Sequence, residues 1–245
     1  MPDSSEALAA SLRALSGFLV GEETPREALL RIARLGEAAV PGAAATGLTL
    51  VSDGRPQTAV FTVEKAPEVD QLQYDEGDGP CLTSYREGAV VRIDSTRTDP
   101  RWPTFAARAA EHGVLSSLSV PLVVEDRSLG ALNFYGEAEG AFTADDEQVG
   151  SGFAAQAAIV VANAQAYWGA RERSLNLDEA MRSRAVIEQA KGIIMARTGA
   201  SAEAAFNVLV RASQRENRKL RTIAAELVER AQQPGSPLPE DAEPG

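Results

Sequence analysis

The sequence predicts an α+β protein in two parts. An antiparallel sheet flanked by helices is joined by a long helix to a C-terminal three-helix bundle. Three observations predict it. Short extended segments pair across hairpin turns between residues 46 and 135, and from residue 144 onward apolar residues recur at three- and four-residue steps. Charge also divides along the chain: residues 1–170 carry 12 basic and 24 acidic side chains, residues 171–231 carry 12 and 8. An acidic body followed by a small basic unit reads either as two functions in one chain or as two ordinary solvated surfaces. The boundaries expected are therefore 1–170, 171–231 and a tail, 232–245, in which four prolines and three acids predict disorder.

Each element has a local cause. Leu8, Leu12, Leu15 and Leu19 share one face of a helix over residues 5–20, with Ser4 or Ser5 as its cap. Thr24-Pro25-Arg26-Glu27 starts a second helix, because threonine caps, proline suits the first turn and glutamate completes a capping box. It runs to about Val40 and stops at Pro41-Gly42. Segments 46–52 and 57–63 form a hairpin around Asp53-Gly54-Arg55-Pro56, and 67–88 is a looser region of helical or turn character. A short strand fits 89–94. Asp99 and Pro100 open a polar helix that ends before Gly113, and strands 116–124 and 128–135 flank Glu125-Asp126-Arg127. The short links make these five strands mostly antiparallel.

Thr143 caps a long helix from about 144 to 168, with Phe153, Ala157, Val160, Val161 and Ala164 as its buried residues. The linking segment 165–177 lacks proline and can carry that helix onward. Residues 176–197 repeat Met181, Ala185, Ile187, Ala190 and Ile194 at helical steps, and Gly199 stops them. Ser201 starts a helix to about 214 that buries Ala205, Phe206, Leu209 and Val210, and Asn217 caps a third with Leu220, Ile223, Ala224, Leu227 and Val228.

Composition narrows the function. The chain has 245 residues, 44% of them apolar, and a formal charge of −11, which argues against a membrane-surface or generic DNA-coating protein. One cysteine and one histidine exclude a disulfide framework and metal centres that need several such ligands. No run approaches 18 apolar residues and no basic-then-apolar leader opens the chain, so a cytoplasmic protein without a membrane span is expected. No phosphate loop or hydrolytic triad is present, so no catalytic or metal site is expected. His112, before Gly113, reads as a helix-end residue, and the acids at 145–147 as compensation of a helix dipole.

Four runs in residues 45–165 carry a resemblance: Leu72-Gln73-Tyr74, Gly77-Asp78-Gly79-Pro80-Cys81, Asp99-Pro100-Arg101-Trp102-Pro103 and Gly130-Ala131-Leu132-Asn133-Phe134-Tyr135. They resemble a GAF domain, a small-molecule or signal-sensing module, of the type found ahead of an RNA-binding unit in actinobacteria. Residues 171–231 resemble an ANTAR domain, the three-helix RNA-binding module of transcription antiterminators. That likeness rests on Arg184, the run Ile187-Glu188-Gln189-Ala190-Lys191-Gly192-Ile193-Ile194-Met195, Gly199, Ala205-Phe206, Leu209, Ser213-Gln214, Lys219-Leu220 and Ile223-Ala224. Ile194 departs from the leucine often found at its position, a conservative core change.

The resemblances imply a signal-responsive antitermination regulator that binds small hairpins in nascent RNA and senses a small molecule of unidentified nature. A homodimer is expected because the first and long helices can pack between protomers, with Leu8, Leu12, Leu15 and Leu19 as one seam. Arg184, Lys191, Gly192, Arg211, Arg215, Arg218 and Lys219 are the expected RNA-binding residues. Arginine and lysine neutralise phosphates, and arginine also reaches bases. Gly192 costs a helix about 1 kcal/mol relative to alanine, so either a packed neighbouring helix or a nucleic-acid backbone must come close. With Phe206 placed in the core, aromatic stacking is not expected to drive recognition.

A sensor pocket between the sheet and residues 67–112 would use Tyr74, Cys81, Tyr85, Trp102, Phe105 and Phe134, although several of these can equally complete a core layer. Cys81 is either a thiol activated in a first helical turn or an inert buried one. The alternative function is a DNA-binding or protein-interaction regulator built from the same units. The apolar start of the second bundle helix, Ala204, Ala205, Phe206 and Val208, disfavours DNA reading.

Overall fold

The structure, a computed structural model, describes residues 4–17, 21, 23–52, 54–63 and 67–232. Leu19, Asp53 and the residues from 233 onward lie outside them; Gln232, placed in the tail by sequence, is helical. The chain divides into two compact units, Met1–Gly169 and Ala170–Gly245.

In the first unit α1 (Ser4–Ser16) and α2 (Pro25–Ala39) precede the hairpin of β1 (Ala45–Ser52) and β2 (Arg55–Phe61). Thr24 caps α2 with the expected reciprocal box, its hydroxyl accepting from the Glu27 amide at 3.3 Å while the Glu27 carboxylate accepts from the Thr24 amide at 2.9 Å. The region expected to be loose holds two helices, α3 (Pro67–Glu76) and α4 (Pro80–Glu87). Proline opens each, and Gly77, at φ +69°, supplies the left-handed break between them. Next come β3 (Val91–Ile93), α5 (Pro103–Glu111), β4 (Ser116–Val124) and β5 (Arg127–Gly136). The polar helix expected from Asp99 begins only at Pro103. Asp99 instead closes a turn, its carboxylate accepting from the Arg101 amide at 2.9 Å and from the Arg101 guanidinium.

The five strands form one antiparallel sheet in the order β2-β1-β5-β4-β3. Strand alternation gives the sheet two different faces. Leu48, Leu118, Val120, Leu132 and Phe134 point into a cluster with Ile32, Phe153 and Ala157 of the flanking helices. Full burial of an apolar side chain such as Phe134 or Phe153 contributes about 1.5–3 kcal/mol. The opposite face carries Thr49, Ser117, Ser119, Asn133 and Tyr135, buried polar groups beneath α3 and α4.

The first unit ends in α6 (Ala144–Thr198), which continues without a break into the second. The helices expected at 144–168 and 176–197 are therefore one, since nothing between them interrupts the backbone. Thr143 caps it reciprocally with Asp146, at 2.8 and 3.2 Å. In the second unit the end of α6 packs with α7 (Ala202–Glu216) and α8 (Leu220–Gln232) around Ala190, Ile194, Ala205, Leu209, Ala224 and Leu227. Two sequence expectations fail here. Asn217 does not start α8; it ends α7 in the left-handed conformation, φ +50°, which asparagine tolerates. Phe206 is 39% exposed, because Ala205 and Leu209 already fill the core-facing side of α7.

Candidate functional site

The basic residues of the second unit fall into two classes. Some are engaged by carboxylates: Lys191 Nζ donates to Glu188 at 2.9 Å, Arg215 pairs with Glu216 at 3.5 Å, and Arg221 pairs with Glu179, tying α8 to α6. Arg218 donates to Glu216 at 3.2 Å and to both carboxylate oxygens of Glu226. These hydrogen bonds raise the Arg218 pKa and lower that of Glu226. Arg184, Arg211 and Lys219 belong to the other class, with Arg173, Arg182 and Arg230: exposed and without an ion pair among the described residues. Sequence alone does not separate the classes, because Glu226 lies two helical turns from Arg218.

Gly192 follows the half-buried Lys191 on α6, and a Cβ built there meets nothing within 4 Å. No neighbouring helix needs that glycine. Met195, 38% exposed, lies one turn further along the same helix. The exposed Phe206 adds an aromatic surface that sequence reasoning had placed in the core.

In the first unit the six residues expected around a pocket are dispersed. Phe134 is fully buried on the face of the sheet packed by α2 and α6, the wrong side for a pocket under α3, because β5 alternates and Tyr135 takes the other face. Phe105 lies in a core cluster with Ile93, Ala109 and Tyr135, and Trp102 packs at its edge with the Arg101 guanidinium 4.7 Å from its ring centroid. Tyr85 is half-buried on α4. Tyr74 and Cys81 do meet, in a hydrogen-bonded network. Tyr74 Oη lies 2.8 Å from Thr49 Oγ1 and 2.7 Å from Thr58 Oγ1; Cys81 Sγ donates to Thr49 at 3.3 Å and accepts from Asn133 Nδ2 at 3.2 Å.

Burial, reinforced by the Asp70 charge, pushes the Cys81 thiol up to about 12, and the same causes raise the Tyr74 phenol. A thiolate is thus disfavoured at this first-turn position. A cavity of about 520 Å³ opens beside the network, lined by Val63, Val69, Arg97, His112, Val114 and Tyr135 among others, and by none of the six expected residues. Sequence reasoning missed Asp70, Thr58 and Asn133 in this network. The available signal was Asn133 alternating with Leu132 and Phe134 in an otherwise apolar strand. Among the described residues no group of three or more His, Cys, Asp or Glu side chains is placed to hold a metal ion, and no helix is long and apolar enough to cross a membrane.

A GAF-domain family model matches residues 22–162, and an ANTAR-domain model matches residues 175–228. Among solved structures, the free methionine-R-sulfoxide reductase of Neisseria meningitidis in complex with its substrate is 17% identical, with a TM-score of 0.50 over 67% of this chain and 91% of that one. The reduced form of fRMsr from Staphylococcus aureus is 13% identical, with a TM-score of 0.50 over 65% of this chain and 95% of that one. At such identities the likeness shows the fold alone. No curated protein matches the chain.

Proposed function

The chain belongs to the GAF-domain family and carries an ANTAR domain behind the GAF domain, a pairing that makes it a signal-responsive regulator of transcription antitermination and not an enzyme, and from that premise we propose that it acts as a cytoplasmic homodimer of the actinobacterial type that holds tandem hairpins of nascent RNA. The contact set is Arg184, Lys191, Gly192, Arg211, Arg215, Arg218 and Lys219, to which the exposed Phe206 adds a stacking surface for an unpaired loop base.

The observation that carries this reading is Gly192. A helix-interior glycine with open space around it gains nothing from packing within the chain, yet costs about 1 kcal/mol against alanine. Close approach by an external backbone accounts for it, and Lys191 beside it offers the charge to meet a phosphate. The cavity beside Tyr135 is the place for a small-molecule signal. A groove of about 310 Å³, lined by Leu12, Leu15, Gly152, Gln156, Ile159 and Val160, with Ile159 45% exposed, supports a homodimer seam along α1 and α6. Two bundles in one dimer raise the effective concentration of each at a tandem site, which a module of net charge +4 (12 basic, 8 acidic) needs.

Mobility shifts with a pool of tandem-hairpin RNAs of randomised loops, and with duplex DNA of the same length, test the reading. We expect RNA to be shifted preferentially, and Lys191→Ala and Arg211→Ala to weaken the shift with helical content unchanged. Equal shifting of DNA, or none of either at low salt, favours a DNA-binding or protein-interaction regulator.

A further inference from the structure

Asp70 is a carboxyl group placed where a charge is hard to hold. It is completely buried on α3, under the polar face of the sheet. Its Oδ1 accepts from Tyr135 Oη and from Gln73 Nε2 at 3.2 Å, and its Oδ2 accepts from Thr58 Oγ1 at 3.1 Å. Tyr135 belongs to β5, Thr58 to β2 and Gln73 to α3 itself, so this one group ties the helix to two strands. Gln73 Oε1 in turn accepts from the Cys81 amide at 2.8 Å, extending the tie to α4.

The titratable groups that face the carboxyl are Tyr74 from α3, Cys81 from α4 and Tyr135 from β5, all neutral near pH 7 because burial raises each of them. The first strand, β1, brings Thr49 and Gly47, neither of them titratable. Arg108 and Glu111 of α5 are exposed and pair with each other, Arg86 of α4 donates to the Gly77 carbonyl, and Asp75 accepts from Gln71. Among the described residues no cation pairs with Asp70. A buried carboxylate without a cation costs several kcal/mol even when hydrogen-bonded.

Asn133 is the second, independent feature. Its side chain is close enough to act on the Asp70 carboxyl, and its Nδ2 donates to Thr49 at 3.1 Å and to Cys81. Its Oδ1 is buried and has no hydrogen-bond partner. The site therefore contains a buried acid lacking a counter-ion and, on the neighbouring strand, a buried acceptor lacking a donor.

We propose that Asp70 is a proton switch in the sensor unit: protonated, it holds α3 closed on the sheet; ionised, it loosens α3 and with it the wall of the neighbouring cavity. Val69, the residue before Asp70, and Tyr135, its hydrogen-bond donor, both line that cavity, so the proton and any occupant share a wall. Burial places the transition in a range cells reach, raising the carboxyl to about 6 from an ordinary value near 3.8. The inference concerns the first unit only and does not depend on RNA binding.

Hydrogen exchange of residues 67–76 in the full-length protein, corrected for the intrinsic pH dependence of exchange, tests it from about pH 5 to about pH 8. The opening equilibrium of α3 should rise about tenfold across that range in the natural sequence, the change expected for a carboxyl with this shift. Asp70→Asn, which keeps the shape and supplies a permanent donor, should hold the closed level at every pH. Tyr135→Phe removes a hydrogen bond that favours the ionised form, so its midpoint should move upward. The proposal is overturned if Asp70→Asn keeps the slope of the natural protein or opens α3 throughout, or if the Tyr135→Phe midpoint stays put or falls.

Discussion

Arg218, in the turn between α7 and α8, reaches Glu226 on α8, its guanidinium donating to both carboxylate oxygens. Glu216 holds the same guanidinium from the other side. An arginine so engaged meets a phosphate only by exchanging one anion for another. Releasing it should strengthen RNA binding: Glu226→Gln is expected to raise affinity and to steepen its salt dependence by about one counter-ion. Filter binding at several salt concentrations reads both. An unchanged affinity and slope would assign Arg218 to bracing the turn alone.

Gly192→Ala should separate stability from recognition. The added methyl meets nothing, so the second unit should gain up to about 1 kcal/mol in denaturant unfolding. RNA affinity should fall by roughly tenfold, equivalent to about 1.4 kcal/mol of lost contact. A variant that is more stable and binds RNA equally well contradicts the role given to this glycine.

Thr143→Ala removes a reciprocal cap from the start of α6. A loss of about 1 kcal/mol is expected in urea unfolding of the first unit. No change would mean that the first turn is already fixed by the Glu147–Arg92 ion pair, 2.7 Å long.

Cys81 should resist alkylation in the folded protein near neutral pH and react readily in urea. Its thiol is raised when folded, so the stability it contributes is complete below the unfolded value of about 8.5 and is lost as pH rises toward about 12. Mass spectrometry of iodoacetamide-treated protein, with and without urea, gives the comparison. Equal labelling rates in both would remove the buried-thiol description.

The elements with strong local signals were legible in the sequence. The Thr24 and Thr143 caps, both hairpins and the stop at Gly199 follow from short-range chemistry, and the structure has them all. What depended on long-range placement was not. Phe206 has helical spacing that suits a core, yet Ala205 and Leu209 take the inward positions and leave it outside. Phe134 suits pocket lining by residue type, but which face of β5 meets α2 and α6 is set by pairing with the distant β1 and by helices far from it in sequence. The Asp70 network was hidden for the same reason: Asp70, Thr58 and Asn133 come from three elements and carry no shared motif. Likewise, nothing in the spacing of the basic residues says which of them a glutamate already holds.

The claim on which this account turns is that the basic residues of the second unit bind structured RNA. Titration of a hairpin RNA selected from the randomised pool, by fluorescence anisotropy across a salt series, tests it most directly when the natural protein is compared with Arg184→Ala/Arg211→Ala/Lys219→Ala. The account predicts that the triple variant keeps its helicity, loses most of its affinity and shows a salt slope shallower by about three counter-ions. Unchanged affinity and slope in a folded triple variant, or equal affinity of the natural protein for duplex DNA, would contradict it.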